Sequence, residues 1–207
     1  MKFFRTPLLL PVLYPKLLWR GAAHEKTIYL TFDDGPIPGP TEWVLQQLKN
    51  FKATATFFCI GDNIRKHGDI FKRIVSAGHA VGNHTFHHVN GWATSTEHYL
   101  AEAEQCQQLL PAGGRLFRPP YGRITRAQIS ALRTYQLVMW DVLTYDFDNA
   151  LPAERCLQNS IRASRNGSIV VFHDSLKAKK NLMHTLPRYL QHFSNRGYQF
   201  SALPPCT

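Results

Sequence analysis

Short apolar runs alternate with amphipathic segments along nearly the whole chain, and most of the runs end on a polar or charged residue. Repeated units of this kind build a parallel sheet, because parallel neighbours need a helical crossover between them. Seven runs read as strands: residues 27–32 (TIYLTF), 55–60 (ATFFCI), 79–82, 115–118, 137–141, 169–172 and 198–203. Helices are expected between them. One is capped by Thr41, with Trp43, Val44, Leu48 and Phe51 at helical spacing. One continuous helix over 63–77 places Ile70, Phe71, Ile74 and Val75 on one face and stops at Gly78. Thr94 with Glu97, and Thr125 with Gln128, have the capping-box spacing of two further starts. The last two span 152–165 and 186–196. At 207 residues the chain is short of the roughly 250 typical of an eight-unit barrel. The expected fold is therefore α/β: a distorted (β/α)7 or (β/α)8 barrel, with a doubly wound open sheet as the alternative.

Either architecture puts its chemistry beyond the carboxyl ends of the strands. Asp33-Asp34, His84, Arg118, the stretch 141–146 and His173 all fall there. Two adjacent carboxylates at a strand end repel each other unless a cation neutralises them, although Asp-Gly-Pro is also good turn chemistry. Residues 84–88 hold three histidines in five positions. A helical turn would put His84 and His88 on one face, with His87 as a substitute, and two imidazoles plus a carboxylate suit zinc with an open position. Arg118 precedes Pro119-Pro120, a stiff pair without backbone donors. Asp141, Asp146 and Asp148 compete for one role in the next acidic stretch, Asp148 reading as a solvated loop residue. His173 ends an apolar strand, where an imidazole suits acid–base work.

The remaining composition narrows the class. The net charge is +10, but the cations are dispersed and only Lys177, Lys179 and Lys180 cluster, so a solvated basic surface is expected and no nucleic-acid partner. No run approaches the roughly 18 apolar residues of a membrane span. Residues 1–26 are expected to be an uncleaved arm packed on a catalytic domain of residues 27–207. Pro7, Pro11, Pro15 and Lys16 interrupt the segment as a secretory signal, and Gly21-Ala22-Ala23 is a weak cleavage site; a cytoplasmic location is favoured over export. Cys59, Cys106, Cys156 and Cys206 form no C-x-x-C pair and read as reduced, small core residues.

Taken in order, five segments carry a resemblance. They are TFDDGP at 31–36, H-T-x-x-H at 84–88, R-x-P-Y at 118–121, the segment around Asp146, and V-F-H at 171–173, with ATFFCIG and GNHT between. Together they resemble the polysaccharide deacetylase family, carbohydrate esterase family 4 with its NodB-homology domain. The resemblance implies a distorted barrel holding one divalent metal. Zinc is the expected ion, with cobalt, nickel or manganese as alternatives, on Asp34, His84 and His88. It also implies Asp33 as general base, Arg118 holding Asp33, the Tyr121 backbone amide at the oxyanion, and His173 as general acid oriented by Asp146. The substrate would be an acetylated glycan, peptidoglycan-like or chitin-like, losing its N-acetyl group.

Two positions depart from the family pattern. Phe147 stands where the motif usually has Trp, so an indole donor is lost, and Val171 stands where Leu is usual. Both bear on substrate fit more than on chemistry. The competing expectations are a hydrolase of a non-sugar amide or O-acetyl ester on the same scaffold, and a silent glycan-binding module. The second would have lost at least one charge-bearing group, and none of these is missing.

Overall fold

The computed structural model describes residues 2–23 and 25–204. After a short helix α1 (Leu9–Leu13) come β1 (Thr27–Asp33), α2 (Pro40–Asn50), β2 (Thr56–Cys59), α3 (Gly61–Lys66), α4 (Gly68–Ser76) and β3 (Ala80–Asn83). The middle of the chain forms α5 (Thr96–Gln107), β4 (Leu116–Phe117), α6 (Arg126–Ala131), β5 (Gln136–Leu137) and β6 (Val142–Leu143). It ends with α7 (Ala153–Ala163), β7 (Ile169–His173), α8 (Lys179–Ser194) and β8 (Gln199–Ser201). The strands run in the order β5-β4-β3-β2-β1-β7-β6, with β8 paired to β1, and every pairing is parallel. This is a curled, incompletely closed barrel, the distorted (β/α)7 arrangement.

β1 is the axis of the sheet. Phe32 lies in register with Phe57 on β2 and Phe172 on β7, and the rings stack at 5.1 and 5.9 Å. These aromatics join the core shared with α2 and α8. Side chains alternate along a strand, so burying Phe32 on the helix-covered face turns Thr31 and Asp33 to the concave face. At roughly 2 kcal/mol for each fully buried large side chain, this ladder sets β1's register firmly. A one-residue slip would carry Asp33 out of the site.

Several local expectations change under tertiary packing. The helix expected over 63–77 is two, because His67 (φ −130°, ψ 47°) leaves the helical region just before Gly68. Ile70, Phe71 and Ile74 are buried by α4, whereas Val75 is exposed. Ser95, not Thr94, caps α5 by accepting from the His98 amide, and the Thr94 hydroxyl donates to the Asn90 carbonyl. The box at Thr125 and Gln128 forms as expected. Gly39 caps α2, and Thr41 sits in its first turn, donating its hydroxyl proton to Asp174. Of the run 137–141 only Leu137 lies in a strand, at the end of β5, and β6 begins just after the run, since Met139 donates to Leu18 and the Val138 and Met139 carbonyls accept from Arg118. α8 begins at Lys179 and carries Pro187 inside it; burial of Leu182, Leu186, Tyr189 and Phe193 outweighs the missing amide donor. Cys59, Cys106 and Cys156 are buried free thiols, and Cys206 lies outside the described residues.

The N-terminal arm lies along the unclosed side. Leu18 bridges Val138 in parallel, and Arg5 bridges Val142 antiparallel. Leu17 and Trp19 are buried and Phe4 packs against the core, while Leu8, Leu9, Leu10, Val12 and Leu13 remain exposed, so the arm packs on the domain at its two ends and not between them. Among the described residues no helix is long and apolar enough to cross a membrane.

Candidate active site

Three neighbouring strands bring their carboxyl ends to one place. Asp33 ends β1 in register with His173 on β7 and Phe58 on β2. Arg118, fully buried just after β4, donates from one nitrogen to Asp33 Oδ1 at 2.7 Å and to the Thr31 hydroxyl at 2.7 Å. Its other nitrogens donate to the carbonyls of Met139 (3.0 Å) and Val138 (3.4 Å), and its guanidinium carbon lies 4.1 Å from the centre of the Phe58 ring. A planar fork meets this set of acceptors; a lysine ammonium would not. Arg118 thereby fixes the Asp33 side chain with one oxygen engaged.

Asp34, His84 and His88 offer ligand atoms that all lie within 4.8 Å of one another. Asp34 Oδ1 stands 3.3 Å from His88 Nε2 and 3.8 Å from His84 Nε2. The tautomers suit a cation. His84 Nδ1 lies 2.7 Å from the Arg118 carbonyl, which only accepts, so the proton sits on Nδ1 and the Nε2 lone pair faces Asp34. His88 Nδ1 contacts the Tyr121 hydroxyl at 3.1 Å, again leaving Nε2 inward. Burial pushes His84 down to about 4, so its imidazole is neutral at physiological pH. Burial also opposes charge on Asp34, but the electrostatics of His88, His173 and His84 around it outweigh this and hold the carboxyl below the usual range. The donor set fits one divalent ion.

The loop of residues 84–88 is not the helical turn expected from the i, i+4 spacing. Thr85 and His88 have φ of 60° and 58°, a left-handed conformation that non-glycine residues adopt at a cost of order 1–3 kcal/mol. Gly61 and Asp62 donate to the carbonyls of Thr85 and Phe86, Asn83 Oδ1 accepts from the Thr85 amide, and these bonds hold the loop. His87, the possible substitute ligand, turns away and meets buried Glu102 at 2.8 Å. Asp34 (φ 83°) and Tyr121 (φ 59°) are left-handed too, so three of the six such non-glycine residues among those described are predicted site residues.

Opposite Asp33, His173 Nδ1 lies 2.7 Å from Asp146 Oδ1, and the His173 amide donates to Asp146 Oδ2 at 2.8 Å. Burial works against charge on His173, yet Asp146, with Asp34 and Asp33 beyond it, raises its pKa to about 9. Of the competing acids, Asp141 is engaged with Ser168, Arg165 and Arg20, and Asp148 pairs with Lys2. A cleft of about 370 Å³ opens over Asp33, Asp34, His84, His88 and His173. A larger groove, about 640 Å³, lies between α2 and α4 and holds none of these groups.

Sequence reasoning passed over the residues that brace the Asp33-Asp34 turn. Asp174 Oδ1 accepts from the Gly35 amide at 3.1 Å, its Oδ2 accepts from the Thr41 hydroxyl, and its own amide donates to the Asp33 carbonyl. Asn63 donates to the Asp34 carbonyl at 2.7 Å. A β-carbon at Gly35 would lie 2.0 Å from Asp174 Oδ2, so the close approach requires glycine there. Position next to His173 was the one available signal for Asp174. Trp140 and Lys177, also unmarked, line the cleft.

The sequence pattern of the family described as Polysaccharide deacetylase matches residues 20–140. The chain belongs to the polysaccharide deacetylase family. Over 188 residues it is 31% identical to a peptidoglycan-N-acetylglucosamine deacetylase of Bacillus cereus, covering 88% of each chain. It is 34% identical over 162 residues to a chitooligosaccharide deacetylase of Azorhizobium caulinodans, covering 75% of this chain and 77% of that protein. A crystal structure of a peptidoglycan N-acetylglucosamine deacetylase superposes with a TM-score of 0.87 at 29% identity, covering 94% of this chain and 95% of the other. The matched segment of this polysaccharide deacetylase holds Asp33, Asp34, His84, His88, Arg118 and Tyr121. It ends before Asp146 and His173, whose pairing rests on the geometry above.

Proposed function

We propose that this polysaccharide deacetylase removes N-acetyl groups from amino sugars of a glycan, using one zinc ion on Asp34, His84 and His88. The observation that carries the reading is the arrangement of that ligand set between two ion pairs, Asp33–Arg118 on one side and His173–Asp146 on the other. A divalent ion bound there supplies Lewis acidity, acidifying water and polarising a carbonyl. The mixed imidazole–carboxylate set suits zinc, and cobalt, nickel and manganese share much of that preference.

Asp33 takes the proton of the attacking water as the C–O bond forms at the acetamide carbon. Arg118 keeps that carboxylate aimed. The Tyr121 backbone amide donates to the developing oxyanion. His173, charged at neutral pH, gives its proton to the sugar nitrogen as the C–N bond breaks, so acetate and a free amine leave. Asp146 holds the His173 ring and proton in place. The Bacillus and Azorhizobium relatives, both named as deacetylases of N-acetylglucosamine-containing glycans or chitooligosaccharides, support the substrate class.

Acetate release from chitin oligomers, peptidoglycan fragments and acetyl-xylan, with metal analysis of the same sample, tests the reading. Acetate should come from the N-acetylated glycans, stop on chelation and return with added zinc. Release from acetyl-xylan alone would overturn it.

The Asp146–His173 pair predicts the alkaline limb of the pH profile. His173 acts as an acid only while protonated, so activity falls as pH rises through its pKa, about 9. In Asp146→Asn the raising carboxylate is gone and burial acts without that opposition. The limb should shift acidward, toward the ordinary 6.5 of imidazole, with the acid limb unmoved. kcat measured against pH checks this; an unmoved alkaline limb would remove His173 from the acid role.

A further inference from the structure

The middle of the N-terminal arm, residues 7–16, is an apolar excursion with no core to enter. It is clamped at both ends. The Leu143 amide donates to Phe4 at 3.0 Å, the Thr6 amide to Asp141 at 2.8 Å, and the Thr6 hydroxyl to Trp140 at 2.6 Å. At the other end Leu18 donates to Leu137 and accepts from Met139, both at 2.8 Å. Between the clamps α1 buries none of its residues. Leu8 is 75% exposed, Leu9 65%, Val12 73% and Leu13 59%, with Phe3 nearby at 59%. Such a contiguous exposed aliphatic patch marks an interaction site.

The pattern selects the partner. A helix docking on a protein buries one stripe at i, i+3, i+4 spacing and anchors it with aromatics or Arg. Here Leu8, Leu9, Leu10, Val12 and Leu13 are spread around the helix axis, and all are aliphatic. That suits immersion in an acyl boundary, where every side of the element meets hydrocarbon. Lys2 and Arg20 are paired with Asp148 and Asp141, and Arg5 donates to the Ala163 carbonyl, so the charge of the excursion is Lys16, with no acidic residue in 7–16; its sign complements anionic headgroups. Pro7, Pro11 and Pro15 stiffen the excursion, which reduces the entropy lost on insertion.

We propose that residues 7–16 form an interfacial spike that docks the protein peripherally on an anionic lipid bilayer. The clamp carbonyl of Trp140 belongs to a residue that lines the catalytic cleft, as does Leu143, so docking holds the cleft close to the lipid surface. The proposal is independent of the deacetylase reading, because lipid binding needs no turnover.

Vesicle flotation of the full chain tests it, using pure phosphatidylcholine and equimolar phosphatidylcholine–phosphatidylglycerol vesicles. The protein should float with the mixed vesicles, much less with the neutral ones, and less at high salt. Leu9→Ser, Val12→Ser and Leu13→Ser combined should weaken partitioning by roughly tenfold or more, with unaltered melting and unaltered acetate release from a soluble chitin oligomer. Lys16→Gln should weaken it about fivefold, on anionic vesicles only. Equal flotation of wild type and triple variant, or none by either, would overturn the proposal. So would a wild-type dimer in light scattering that the triple variant dissociates without any vesicle binding, since a second copy would then cover the patch.

Discussion

Asp33→Asn should cut kcat for acetate release by about 10²–10⁴, the range a positioned general base contributes, while bound metal per chain stays unchanged. The substitution is close to isosteric. The Asn oxygen still accepts the Arg118 hydrogen bond made at 2.7 Å, but the amide cannot take a proton from water. Asp34, the neighbouring carboxylate, cannot substitute. It follows Asp33 on a left-handed residue (φ 83°) and presents its oxygen to His84 and His88. Metal content measured beside kcat separates the two roles within the Asp pair. Full activity in Asp33→Asn would show that the base lies elsewhere, and loss of metal would make Asp33 a ligand.

Arg118→Met should cost about 3–5 kcal/mol of stability, the usual penalty for leaving one partner of a buried ion pair. For a chain of this size that lowers the melting temperature by roughly 6–20 °C. The physical reason lies in what the guanidinium satisfies at once: the Asp33 carboxylate, the Thr31 hydroxyl and the carbonyls of Val138 and Met139. Methionine fills the volume over Phe58 and satisfies none of them. Arg118→Lys should recover only part of the loss, since a point charge cannot serve both the carboxylate and the two carbonyls. Adding Asp33→Asn to Arg118→Met should restore stability by removing the orphaned charge, a coupling that a double-mutant cycle in urea would read. A melting temperature within a degree or two of wild type for Arg118→Met would contradict this account.

The two predictions meet at a common point. Arg118 is both the support that fixes the base and the plug of the barrel's concave face, so stability and activity share one side chain. Its cost is visible in the sheet, where the strand expected over 137–141 opens so that two carbonyls can turn to the guanidinium.

What could be read from the sequence was whatever depends on short range. Strand and helix alternation, the parallel sheet, the placement of Asp33, Arg118 and His173 at strand ends, and the five segments resembling the family all follow from residues a few positions apart. β1 illustrates the reason: TIYLTF is β-branched and aromatic, and the parity of buried Phe32 dictates that Asp33 faces the other way. Tertiary structure decided what depends on partners distant in sequence. The residues alone left Asp141, Asp146 and Asp148 open and only the resemblance pointed to Asp146; the physical reason, His173 lying beside it from 27 positions away, belongs to the tertiary structure. The ligand geometry of His84 and His88 comes from a left-handed loop held by Gly61, Asp62 and Asn83, and not from helical periodicity. Asp174 acquired its role only when β7 paired with β1. The apolar arm was divided by the same long-range packing: Phe4 and Arg5 meet the core and β6, Leu17 to Trp19 meet the backbone after β5, and the stretch between them, Leu8 to Leu13, stays exposed. Local chemistry specified the elements and the reactive groups; long-range packing selected which of those groups face one another.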